Sequence, residues 1–78
     1  MDAQVGRLVD EIEAMGLLDD TVIVVTADHG ESLTEHDYLF DHGDYLYDAS
    51  LRVPLIVRYP PVAKAGHVAD CQVSTLDL

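Results

Sequence analysis

An α/β fold with a mostly parallel sheet is what this sequence predicts, and three observations carry the prediction. Residues 3–15 repeat apolar side chains at helical spacing, with Val5, Leu8, Val9 and Ile12 on one stripe. Val22-Ile23-Val24-Val25 is an apolar run without polar alternation, the pattern of a strand covered on both faces by helices. Val53 to Tyr59 supplies a second strand after a polar stretch. Helix, tight turn and buried strand in that order make half of an α/β unit.

Each element has its own punctuation. Asp2 is placed to cap the helix and Gly16 to stop it. Asp19-Asp20 turns the chain into a strand over residues 21–26. Residues 30–44 carry charges, histidines and glycines with no period, and read as a functional loop. Asp44 to Leu51 contains a short helix, and Pro54 stands near the start of the second strand, where a missing donor is tolerated. Tyr59-Pro60-Pro61 ends that strand, residues 62–70 form a turn-rich connection, and Val73 to Leu78 opens a further element.

The size argues for a segment of something larger. Seventy-eight residues allow at most one small domain, one cysteine excludes an internal disulfide, and one helix covers only part of one sheet face. A complete small protein that dimerises is the alternative. The formal charge of −11 disfavours nucleic acid, because there is no basic stripe to neutralise phosphates. No stretch approaches the ~20 apolar residues of a membrane span, and Met1-Asp2-Ala3-Gln4 lacks the basic and apolar regions of a signal peptide.

The chemistry concentrates at Thr26-Ala27-Asp28-His29-Gly30, where the first strand should end. Ligands of open α/β sheets bind outside the carboxyl ends of strands, and a carboxylate and an imidazole are good donors to a divalent cation. Gly30 lets the backbone turn beside them. The bland alternative is that Asp28 caps a following element and His29 packs locally. His42, in Phe40-Asp41-His42-Gly43, is a candidate to bind a substrate oxyanion or protonate a leaving group, with a surface-loop histidine as its alternative. His36 either shapes the pocket or is solvated, and His67 belongs to the surface. Arg52 and Arg58 either hold an anionic substrate or pair with nearby carboxylates. Tyr45 and Tyr47 read as packing residues with wet hydroxyls. Cys71 has no activating neighbour and reads as a buried structural thiol. Together these residues point to part of a metal-assisted hydrolase site.

The same residues resemble the sulfatase family of the alkaline phosphatase superfamily. Leu18-Asp19-Asp20-Thr21 into Val22-Ile23-Val24-Val25-Thr26-Ala27-Asp28-His29-Gly30-Glu31 is similar to its metal-ligand strand, and Glu35-His36 to its downstream Glu-His pair. Phe40-Asp41-His42-Gly43, Leu46-Tyr47-Asp48 and Leu51-Arg52-Val53-Pro54-Leu55-Ile56-Val57 resemble the run into the next core strand, and Val73 to Leu78 the start of a helix. The resemblance implies a three-layer sandwich with a mostly parallel central sheet, of which residues 1–78 are a partial catalytic domain. It implies one divalent cation, usually Ca2+, with Asp28 and His29 as two ligands, and a sulfate ester as substrate. His42 falls where many members place a sulfate-contacting lysine. The family's Cys- or Ser-x-Pro-x-Arg motif, source of the formylglycine nucleophile, is absent here, as are its paired amino-terminal aspartates. The chain therefore holds about half a metal site, needs the rest of the catalytic domain, and should not turn over substrate alone. Rival readings are a phosphodiester or phosphonate ester hydrolase, or a phosphoethanolamine transferase, of the same superfamily, and a non-catalytic acidic module that binds a metal or a partner.

Overall fold

The computed structural model describes residues 1–37 and 44–78. Helix α1 spans Asp2–Ala14. It starts one residue before the sequence suggests: Met1 takes the cap position and its carbonyl accepts from Gln4 and Val5 N–H. Asp2 is therefore not the cap. It lies in the first turn, where a carboxylate still suits the positive end of the helix dipole. The stop is as expected. Gly16 adopts φ 69°, with its N–H on Glu13 O at 2.8 Å and Leu17 N–H on Ile12 O at 3.1 Å. These two bonds form a Schellman closure, which needs the left-handed conformation that glycine adopts without a Cβ clash.

A 3-10 turn at Leu18–Asp20 leads from α1 into strand β1, Ile23–Thr26. Thr21 supports the turn by donating its hydroxyl to Leu17 O at 2.7 Å. A one-turn helix α2, Asp48–Leu51, precedes strand β2, Leu55–Arg58. The two strands pair antiparallel, with Ile23 opposite Arg58, Val24 opposite Val57, Val25 opposite Ile56 and Thr26 opposite Leu55. This pairing departs from the parallel arrangement expected from the apolar run. A parallel return needs a crossover that carries the chain back to the end where the first strand began. Here β2 starts opposite Thr26, at the end where β1 finishes, so it runs back alongside it.

The same register ties the turn to the sheet. Arg58, opposite Ile23, donates its guanidinium to Leu18 O and to Asp19 Oδ1, the latter at 3.2 Å. Of the two sequence readings of Arg58, pairing with a carboxylate is the one the fold realises, with Asp19 as the partner. Its fork holds a carbonyl and a carboxylate from one turn, which the single point charge of a lysine would not match.

Along β1, half-buried Ile23 and Val25 alternate with exposed Val24 and Thr26, so the cover this apolar run calls for is not supplied within these residues. Among the described residues no hydrophobic side chain is fully buried. Two strands and one helix cannot cover a sheet on both sides, and α1 rests against the Leu18–Asp20 turn. Cys71 is exposed rather than a buried thiol, because the irregular connection after β2 lays nothing over it. The last element is a 3-10 turn at Thr75–Asp77 in which Ser74 and Asp77 cap each other's backbone.

Candidate functional site

The antiparallel register brings the end of β1 next to the start of β2, and so to the residues before β2. The loop Ala27–Gly30 meets α2 there: Gly30 N–H donates to Ser50 O at 2.8 Å. A Cβ on Gly30 would overlap the Ala49 carbonyl oxygen, and would lie 3.0 Å from the Ala49 carbonyl carbon and 3.4 Å from Arg52 O. Sequence reasoning valued Gly30 as a turn residue. The fold requires it for close approach of two backbones, and its φ is not among the positive ones.

Asp28 and His29 lie side by side at this strand end. Asp28 Oδ1 accepts from the His29 backbone N–H at 3.0 Å, and its Oδ2 lies 3.7 Å from His29 Nε2. His29 Nδ1 lies 2.7 Å from Gly30 O. A carbonyl oxygen only accepts, so Nδ1 carries the proton, and in the neutral ring Nε2 presents its lone pair. A ring N–H donated to a backbone carbonyl is one of the usual supports of a metal-ligating histidine. Side-chain exposure is 88% for Asp28 and 45% for His29, so the pair opens to solvent. Among the described residues no group of three His, Cys, Asp or Glu side chains gathers around one point.

The loop beyond Gly30 is organised around Glu35. Its Oε2 accepts from Leu33 N–H at 2.8 Å, Thr34 N–H at 3.1 Å and the Ser32 hydroxyl at 3.5 Å, while Ser32 Oγ also donates to Glu35 O at 2.9 Å. Ser32 is the buried polar residue of the described chain, at 8% exposure. These donors stabilise the charged carboxylate, the Thr34 N–H most, and hold the Glu35 pKa below its ordinary value of 4.5. A depressed pKa means the turn's stabilisation is complete above pH 4.5 and is lost as pH falls through the lowered value. Hydrogen exchange at Leu33 and Thr34 should therefore lose protection at acid pH in the wild type. In Glu35→Gln the same amides should be less protected at neutral pH, with little further change on acidification.

Sequence reasoning missed this turn, although Ser32-x-x-Glu35 is the spacing of a capping box. It also missed a ring stack of one histidine and two tyrosines. His36 lies on Tyr47 with centroids 3.9 Å apart, and Tyr47 on Tyr45 at 5.6 Å. The packing role expected of the tyrosines is thus played against a histidine, and His36 is not simply solvated. His36 and Asp37 take φ values of 58° and 63°, an arrangement that non-glycine residues rarely adopt in succession. Arg52 follows α2 and donates its backbone N–H to Asp48 O at 2.8 Å, and His67 is exposed as expected. His42 lies outside the described residues.

Known proteins give this arrangement a context. The family model described as Sulfatase matches residues 1–78. An N-acetylglucosamine-6-O-sulfatase of Bacteroides thetaiotaomicron is 40% identical over 77 residues, covering 99% of this chain and 13% of that protein. A choline-sulfatase of Rhizobium meliloti is 35% identical over 78 residues, 100% of this chain and 14% of that protein. A solved structure of a protein in complex with its substrate D-glucosamine-2-N,6-O-disulfate superposes with a TM-score of 0.76 at 46% identity, over 83% of this chain and 13% of that one. The chain thus spans about one seventh of the length of the curated relatives it matches. With the family match running unbroken from the first helix through the Asp28-His29-Gly30 strand end to the last turn, this chain belongs to the sulfatase family.

Proposed function

We propose that residues 1–78 are part of the catalytic domain of a metal-dependent sulfuric ester hydrolase, and that they contribute Asp28 and His29 to one divalent-cation site. The observation that carries this reading is the pair itself. A carboxylate oxygen and an imidazole nitrogen lie 3.7 Å apart at the open end of β1, with the imidazole oriented by a backbone carbonyl. The donor set fits a cation: Asp28 offers the hard oxygen that calcium prefers, and His29 widens the range toward transition ions. When bound, the cation would neutralise developing negative charge on the transferred sulfuryl oxygens. Asp28 and His29 would hold the position, the Gly30 carbonyl keeps the His29 ring turned, and Arg58 braces the Leu18–Asp20 turn. His42 is the residue proposed to donate to a sulfuryl oxygen or to the leaving group. The remaining ligands and the formylglycine nucleophile come from the rest of a three-layer sandwich with a mostly parallel sheet, in which β1 and β2 form a locally antiparallel pair. On this reading the isolated chain is inactive.

The test uses the full-length protein. Sulfate release from glucosamine 6-O-sulfate, choline sulfate and an aryl sulfate should be detected for at least one, lost with chelator and restored by calcium. Manganese and zinc serve as competing cations. His42→Ala should lower kcat by roughly a hundredfold, the scale of a lost general acid, and His42→Lys should recover part of it. Hydrolysis of phosphate diesters in preference to every sulfate ester would overturn the sulfatase reading. Metal binding without any hydrolysis would favour a non-catalytic module.

A further inference from the structure

Gly30 makes one contact with each of its backbone polar groups. Its N–H donates to Ser50 O of α2 at 2.8 Å, and its carbonyl accepts from His29 Nδ1 at 2.7 Å. The space its missing side chain leaves is filled by backbone, the Ala49 carbonyl and the Arg52 carbonyl oxygen, not by movable side-chain ends. The residue whose carbonyl meets the imidazole is therefore also the residue whose N–H is tied to α2. α2 in turn runs through Arg52 and Val53 into β2, whose first residue pairs with Thr26 at the end of β1. Strand end, imidazole and helix are thus linked through Gly30.

We propose that Gly30 is a positioning residue for the cation site, acting as the clamp through which α2 sets the orientation of His29. The proposal rests on the metal reading of Asp28 and His29. Any Cβ at position 30 must push α2 away or turn the backbone at residue 30, and such a turn moves the carbonyl that holds the His29 ring. Partners that orient a ligating histidine are commonly worth 10–100-fold in metal affinity. α2 has little rigidity of its own to absorb the strain, being one turn long with no side-chain cap.

Calorimetric titration of the metal-free full-length protein with Ca2+ tests this, below the melting temperature of each variant. Gly30→Ala should raise the Ca2+ dissociation constant by about tenfold or more. Activity should return partly at excess Ca2+, which a purely structural defect would not show. Gly30→Ala is also strained enough that it can fail to fold, so Ala49→Gly is the second variant. It leaves the Gly30 contact sterically open but loosens α2, and should weaken Ca2+ binding by roughly threefold, with a folded protein and kcat retained at saturating Ca2+. Wild-type Ca2+ affinity in Ala49→Gly, or in a folded Gly30→Ala, would overturn the clamp. Asp28→Ala is the control that separates the two ideas. If it loses Ca2+ while both clamp variants bind normally, the metal site stands and the positioning role falls. If Asp28→Ala binds Ca2+ normally, the metal reading itself falls.

Discussion

Asp28→Ala in the full-length protein is expected to abolish most turnover and strip the cation while leaving the fold in place. The side chain is 88% exposed, so its removal opens no cavity. What it does in the fold is local: one oxygen accepts from the His29 backbone N–H, and the other lies beside His29 Nε2. Truncation therefore removes the oxygen donor of the pair and loosens the backbone that carries the nitrogen donor. Charge stabilisation by a bound cation is worth several kcal/mol in the transition state. A loss of roughly 3 kcal/mol corresponds to about a hundredfold in kcat/KM. Steady-state kinetics and metal analysis on one preparation check it, with circular dichroism confirming the fold. Near wild-type turnover with stoichiometric metal would remove Asp28 from the site.

The second large effect concerns the chain on its own. Residues 1–78 in isolation are expected to lack a cooperative thermal transition and to self-associate. The accessible surface is 6929 Å², about half as much again as the ~4,700 Å² of a folded monomer of 8.6 kDa. The Cα radius of gyration is 15.7 Å, against ~11.5 Å for a packed domain of this length. Leu8 on α1, Val24 on β1 and Ile56 on β2 all remain exposed, and such surface drives association when nothing covers it. Both strands also have an unpaired edge, since the sheet consists of these two alone among the described residues. Scanning calorimetry and analytical ultracentrifugation of the isolated chain decide the matter. A monodisperse monomer with a sharp melting transition would show that the exposed stripes need no cover.

Local pattern made much of this legible in the sequence. The apolar stripe of α1, the glycine that ends it, the β-branched run of β1 and the prolines around β2 act within a few residues of themselves, so one-dimensional reading finds them. Asp28 and His29 were legible for the same reason: they are adjacent, and the strand that delivers them is contiguous. Boundaries moved where a neighbour competed, as when the Met1 carbonyl opened α1 and displaced Asp2 from the cap.

What only the tertiary structure decided depends on residues far apart in the chain. The antiparallel register of β1 and β2 was not encoded in either strand's composition, because a run buried on both faces reads alike in either direction. That register sets Arg58 on Asp19. It also brings α2 against the strand end, and so changes the meaning of Gly30 from a turn residue to a contact that admits no side chain. The stack of His36 on Tyr47 belongs to the same class. By itself, then, the sequence determined that Asp28 and His29 stand together where the strand ends, since both are properties of neighbouring residues. The fold alone determined what braces them, because packing between distant backbones leaves no periodic trace in the chain that forms it.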